Sequence, residues 1–238
     1  MNIVITAGGT SEKIDNVRKI TNSSTGKLGV LIANELINKK LNEINKIFYV
    51  CSSRALRPNN EKIEIIEAES TSDLEKVVTH LLTNNKIDYF IHLMAVSDYT
   101  TNYVTNAKLL SEEVKKNGNN IEKIIKENAN ILNDTKISSY EDNLIVVLKP
   151  TPKIISIIKK ISPKTFLVGF KLLDGVTKER LIDVAKKLRD KNDCDLVVAN
   201  DLSSIRKGKH IAYIIDKQDN EITCFNKENI AKKLIEKI

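Results

Sequence analysis

Short apolar runs alternate with stretches of helical period along almost the whole chain, and that alternation leaves few folds open. The runs NIVIT (2–6), KIFYVC (46–51), KIEIIEA (62–68), IDYFIHL (87–93), NLIVVL (143–148), TFLVGF (165–170) and DLVVAN (195–200) read as strands. Between them, 26–40 carries apolar residues at 28, 31, 32, 36 and 37, which is one face of a helix. Thr71–Ser72–Asp73 offers N-cap chemistry before LEKVVTHLL, and Thr151–Pro152 starts a helix with proline in its first turn. A further helix spans 174–190, HIAYIID (210–216) and EITCF (221–225) read as a hairpin, and Asn226 caps a C-terminal helix. Strand, helix, strand in this order predicts an α/β fold, a Rossmann-like and mainly parallel sheet with helices on both faces. Ligands in such folds gather at the carboxyl ends of the strands, here 6–10, 94–99, 149–154, 169–171 and 199–201. Residues 100–142 break the rhythm as a polar excursion or flap. With no internal repeat and no dividing linker, 1–238 is expected to be one domain.

Composition narrows the function classes. With 41% hydrophobic and 29% charged residues the chain is globular. No window approaches about 18 uninterrupted apolar residues, so no membrane helix is expected. The start MNIVITAGGT lacks a basic n-region and a cleavable apolar core, so a cytoplasmic location is expected. Lys and Arg total 38 against 31 Asp and Glu, a net +7. The lysines are mixed with Glu and Asp on helix faces, without interleaved aromatics, which points away from nucleic acid. Cys51, Cys194 and Cys224 form no CxxC pair, so neither a disulfide framework nor a zinc site is indicated, and no metal ligands can be named. His80, His92 and His210 each stand alone, and His92 in YFIHLMAV reads as a satisfied buried histidine. An enzyme built this way works by positioning and charge neutralisation, not through a Ser–His–Asp or Cys–His relay.

The candidate chemistry lies in two glycine turns. Ala7–Gly8–Gly9–Thr10 follows the first strand, and Ser23–Ser24–Thr25–Gly26–Lys27–Leu28–Gly29 opens the next helix, where backbone N–H groups favour an anion. Neither is GxGxxG, and Thr21 stands where a Walker A loop needs glycine. Between them, Asp15 to Ser24 is dense in hydrogen-bond donors, with the planar fork of Arg18 and the amide of Asn22. These residues alone leave open a nicotinamide-dependent Rossmann reductase and a non-enzymatic nucleotide-binding module. The reductase lacks its acidic residue after the second strand, where Cys51–Ser52–Ser53–Arg54 stands.

ITAGGT followed by E-x-I-D-x-V-R-x-I-T-N-S-S-T-G-K-L-G resembles the opening signature of the phosphopantothenate–cysteine ligases. The resemblance continues in order through Met94–Ala95–Val96–Ser97–Asp98–Tyr99, Leu148 to Ile154, Val168–Gly169–Phe170–Lys171, Lys191–Asn192 and Asp195 to Asp201. GFKLL and the lack of an N-terminal flavin decarboxylase half are similar to the stand-alone bacterial type. The resemblance implies condensation of 4′-phosphopantothenate with L-cysteine in coenzyme A biosynthesis. CTP would give an acyl-cytidylate with release of pyrophosphate and then CMP, Mg2+ would accompany the nucleotide, and the chain would form a homodimer.

Residue by residue, the resemblance implies that Asn22 holds the substrate carboxylate and acyl intermediate, that Arg18 serves the second half-reaction, and that Lys136 is the catalytic lysine. It places Asp98 near the nucleotide, Phe170 on its base or ribose, and Lys187 and Lys191 on the triphosphate. Thr151, Pro152, Lys153 and Ile154 would offer groups to cytosine, with Ala95 and Met94 beside them. Gly9, Thr10, Ser24, Gly26 and Lys27 would cradle phosphate. Two departures stand out. Lys136–Ile137–Ser138–Ser139 replaces the family's K-x-K-K, and Met94 stands where many members have alanine.

Overall fold

A computed structural model describes residues 1–117, 120–126, 132, 136–206 and 209–238. Strand β1 (Asn2–Ala7) is followed by a small ribbon of β2 (Ser11–Lys13) and β3 (Lys19–Thr21), then α1 (Lys27–Lys40), β4 (Lys46–Cys51), β5 (Ile63–Glu67) and α2 (Thr71–Asn84). Next come β6 (Tyr89–His92), β7 (Tyr99–Asn106), α3 (Ala107–Asn117), α4 (Ile121–Lys126), β8 (Leu144–Pro150) and α5 (Ile155–Ile161). The chain closes with β9 (Phe166–Leu173), α6 (Lys178–Asn192), β10 (Leu196–Asp201), α7 (Leu202–Arg206), β11 (Ala212–Asp216), β12 (Glu221–Cys224) and α8 (Lys227–Ile235).

The central sheet has eight strands in the order β12-β11-β10-β9-β6-β1-β4-β5. From β10 to β5 every pairing is parallel, and β11 and β12 add an antiparallel hairpin at one edge. Successive side chains of a strand point to opposite faces, so β1 sends Ile3, Ile5 and Ala7 to one core and Val4 to the other. The first core is closed by Ile32, Ala33 and Leu36 of α1 and Ile230, Leu234 and Ile235 of α8. The second is closed by Leu74, Val78 and Leu81 of α2, Ile158 of α5, and Leu181 and Ala185 of α6. This is the two-faced, mainly parallel α/β sheet that the alternation predicts.

Several local expectations need correction. NLIVVL does not join the central sheet. It lies in β8, which pairs antiparallel with β7 as a separate two-stranded arm, because the extended run 99–106 offers it a full-length partner. Residues 100–142 are therefore partly strand and helix. The helix expected from Thr151–Pro152 begins at Ile155, since Thr151 is first held back by hydrogen bonds to Asp98 O and Ser97 O. Ser70, not Thr71, caps α2, in a reciprocal box with Asp73. The helix expected from 174 begins at Lys178 with Thr177 as its cap.

Candidate active site

The glycine turn after β1 and the turn after β6 are stitched together. Thr10 N donates to Ala95 O at 3.0 Å, Ala95 N to Gly8 O at 2.9 Å, and Asn22 N to Thr10 O at 3.0 Å. The Asn22 side chain then donates through Nδ2 to Ala95 O at 3.3 Å. Beneath them Ser97 N donates to the buried Thr10 Oγ1 at 2.8 Å. Gly9, Thr10, Asn22 and Ala95, far apart in sequence, thus form one rim at the carboxyl ends of β1 and β6.

Two depressions share the ridge Ser23–Ser24–Thr25. One, of about 480 Å³, is lined by Gly9, Asn22, Ser52, Arg54 and Glu69 among others. The other, of about 380 Å³, reaches Met94, Ala95, Phe170, Asn200, His210 and Lys227 across the ends of β6, β9 and β10. The start of α1 forms a wall of the second. Its N-cap, Gly26, has φ of 75°, a left-handed conformation that suits glycine, and no side chain caps that end of the helix. Its amide dipoles, with Lys27 and Lys227 on the same lining, favour an anionic ligand.

The hairpin of β2 and β3 carries the remaining polar groups. Glu12, buried, accepts from Thr71 N and Thr71 Oγ1, both at 2.8 Å, and from Thr100 Oγ1 at 2.7 Å, tying hairpin, α2 and arm together. At the hairpin's tip Asp15 accepts backbone hydrogen bonds from Arg18, Val17 and Ile137, and these hold its carboxyl below the usual carboxylate range despite burial. Arg18 Nη2 donates to Ile137 O at 2.9 Å. Lys136, exposed, is thereby brought to the hairpin that leads into Asn22.

Residues 1–147 and 128–238 match the family described as DNA/pantothenate metabolism flavoprotein C-terminal domain. The chain belongs to this family. It is 30% identical over 237 residues to the coenzyme A biosynthesis bifunctional protein CoaBC of Thermococcus kodakarensis, covering 99% of this chain and 50% of that protein. The chain therefore spans about half the length of the curated relatives it matches. A solved structure, the DNA/pantothenate metabolism flavoprotein from Streptococcus pneumoniae, is 40% identical with a TM-score of 0.83, covering 100% of this chain and 97% of that one. The C-terminal domain of a CoaBC protein, 22% identical with a TM-score of 0.68 over 99% of this chain and 92% of that one, shares the fold.

The family's other motif positions divide between two poles of the sheet. Asp98 and Lys153 are ion-paired at the root of the arm, where Thr151 N donates to Asp98 O at 3.0 Å and Thr151 Oγ1 to Ser97 O at 2.5 Å. Pro152 is exposed there and Ile154 buried. Lys187 and Lys191 are not brought to this rim. α6 runs back from the strand ends to the start of β10, and its last turns meet the β11–β12 turn, where Arg189 donates to Asp216 O. Lys187 pairs with Asp183 of its own helix at 2.9 Å.

His210 is a pocket residue that sequence reasoning did not single out. Its Nε2 lies 3.2 Å from Asn200 Oδ1, it has φ of 41°, and burial, aided by Lys227, pushes its pKa down to about 4. Among the described residues its buried Nδ1 has no hydrogen-bond partner. A lone histidine ten positions from Asn200 carries no sequence signal of this pairing, because β10 and the return into β11 create it. His92 is the satisfied buried histidine expected, with Nδ1 2.9 Å from Thr6 Oγ1.

Proposed function

We propose that this chain condenses 4′-phosphopantothenate with L-cysteine to give 4′-phosphopantothenoylcysteine. The observation that carries the reading is the rim itself: Asn22 set between the two strand-end turns by Ala95 O and Thr10 O, beside an anion-favouring helix start. In the first step a carboxylate oxygen of phosphopantothenate attacks the α-phosphorus of CTP, forming an acyl-cytidylate as pyrophosphate leaves. In the second the cysteine amine attacks the acyl carbon, loses its proton, and CMP leaves. Asn22 holds the carboxylate and then the acyl oxygen through its amide. Arg18 and Lys136 neutralise charge as the amide forms, and such fixed donors act without a histidine base.

Gly9, Thr10, Ser24, Gly26 and Lys27 cradle phosphate, Phe170 and Ala95 contact the nucleotide, and the segment Thr151 to Ile154 faces cytosine. Mg2+ would neutralise triphosphate charge. Among the described residues no cluster of three His, Cys, Asp or Glu could hold a metal ion. Asp98, paired with Lys153, and Glu69 are separate carboxylates near this rim, a sparse donor set that suits an ion carried mainly by substrate phosphates.

The resemblance also carries a homodimer. The arm, where Tyr99 and Leu148 are exposed, and the β11–β12 hairpin are the candidate contacts. Lys187 and Lys191 serve a triphosphate only if a second copy presents them, and a one-chain mass in solution would remove both ideas.

The deciding assay is pyrophosphate release from CTP, then ATP, with phosphopantothenate present and cysteine added or omitted. Release from CTP without cysteine, and amide formation with it, are expected; no release from either nucleotide overturns the reading. Asn22→Asp sets a like charge against the reacting carboxylate. Product formation should fall by at least about 100-fold, the scale of losing one oxyanion donor, and an unimpaired variant removes Asn22 from the site.

A further inference from the structure

We infer that Asp15 is a positioning residue that sets the direction of Lys136. The inference rests on the reading above, in which Lys136 acts in the ligase reaction. The Asp15 side chain is 1% exposed, and its two oxygens have separate tasks. Oδ1 accepts from Val17 N at 2.8 Å and Arg18 N at 2.7 Å, which closes the hairpin turn. Oδ2 accepts from Ile137 N at 3.2 Å, across 122 positions of sequence. Arg18 Nη2 takes the other polar group of the same residue, Ile137 O, at 2.9 Å.

One turn therefore grips Ile137 by its N–H and its C=O, while the Ile137 side chain is 2% exposed. A residue held at both backbone groups and buried by its side chain has little freedom to rotate. Lys136 precedes it directly, so its exposed side chain leaves the backbone in a defined direction. The guanidinium of Arg18, 3.7 Å from Asp15 Oδ2, offsets the carboxylate charge near Lys136. Asp15 touches no reacting atom in this scheme. It acts through Ile137 on the residue before it.

Asp15→Asn separates the two tasks. The remaining oxygen can still close the turn on Val17 N and Arg18 N, but the new amide sets a donor against the Ile137 N–H. Two readouts are compared. Amide hydrogen exchange without substrate should quicken at Ile137 by at least about tenfold while Val17 and Arg18 stay protected. In turnover, Asp15→Asn should lower kcat by about tenfold or more, as small misplacements of a reacting group do. Combined with Lys136→Ala it should cost no more than Lys136→Ala alone, because residues acting as one unit are not additive.

Losses that multiply in the double variant, or a wild-type kcat for Asp15→Asn, overturn the inference. Should Asp15→Asn fold poorly, Asp15→Ser keeps a hydroxyl that can accept from the turn amides of Val17 and Arg18 but loses the bond from Ile137 N, and it must show the same non-additivity. If the wild-type chain forms no product from CTP or ATP, the ligase reading fails, and unchanged exchange at Ile137 would separately refute the contact.

Discussion

Gly9 and the carbonyl of Asn22 approach so closely that a Cβ on residue 9 would lie 1.9 Å from Asn22 O and 2.9 Å from Asn22 C. Both are backbone atoms, so no rotamer change can relieve the clash, and Gly9→Ala must push the hairpin away from the turn after β1. Asn22 would then be displaced from Ala95 O. Product formation is expected to fall by about 100-fold, the cost of misplacing a reacting group by an ångström, while thermal unfolding stays cooperative. Gly175→Ala is the comparison. It has φ of 66° with nothing within 4 Å of its added Cβ, so it should lose about 1 kcal/mol of stability and no activity. Equal activity losses in the two variants would show that Gly9 matters only to folding.

His92 sets a pH dependence of stability. Burial pushes its pKa down to about 4 from 6.5, so the native state keeps it neutral where the unfolded chain takes up a proton. The stability this represents is complete above pH 6.5 and is lost as pH falls towards 4. Between pH 7 and pH 5 the loss is roughly 2 kcal/mol. Urea midpoints of wild type and His92→Gln at the two pH values test it. The variant should lose this contribution and keep the part of the drop that comes from His210, whose pKa burial also pushes down to about 4. A wild-type drop in the variant would place the proton elsewhere.

The sequence is legible where burial is two-sided. Ile3 and Val4 feed opposite cores, so β1 runs through Ile3–Val4–Ile5 without a polar break and stands out, as do Phe90–Ile91 of β6 and Leu196 to Ala199 of β10. NLIVVL is as apolar as these, yet its partner is the polar run Tyr99–Asn106, and no local feature records which strand a strand will pair with. The ribbon of β2 and β3 has three residues on each side, too few to show a period. In the site, the glycine turns and Asn22 could be found because they adjoin one another in sequence. Asp15 to Ile137 and Asn200 to His210 are tertiary pairings with no spacing rule. Lys187 and Lys191 lie on α6 away from this rim of the same chain, and motif position alone does not say which end of a helix lies there.

Asp195 illustrates a motif residue with a structural task at that far pole. Its Oδ2 accepts from Lys159 Nζ and Leu167 N, each at 2.8 Å, and Oδ1 lies 3.1 Å from Lys217 Nζ. Burial alone would raise its pKa, but these hydrogen bonds, led by Lys159, outweigh it and hold the carboxyl below its usual range. Asp195→Ala leaves the largely buried Lys159 ammonium only the more distant Asp193, 4.0 Å away, and breaking such a buried pair costs about 3 kcal/mol. The urea midpoint should drop accordingly while kcat of the folded fraction is unchanged. A kcat loss at full folding would bring Asp195 into the site.

Met94 joins the core to the pocket. It is 6% exposed, packs in the core beneath α2 and α5, and lines the 380 Å³ depression with Phe170 and Ala95. Met94→Ala removes a thioether side chain from a packed wall and should destabilise the fold by about 2–3 kcal/mol. The space opens toward the proposed base site, so a larger base gains room that a pyrimidine does not need. A few methylene-sized groups in such a wall are worth about 1–3 kcal/mol of discrimination. The ratio of kcat/KM for CTP over ATP should therefore fall by about tenfold, measured on protein kept folded at low temperature. A ratio that stays constant while stability drops would mean that Met94 supports the wall without shaping the choice of nucleotide.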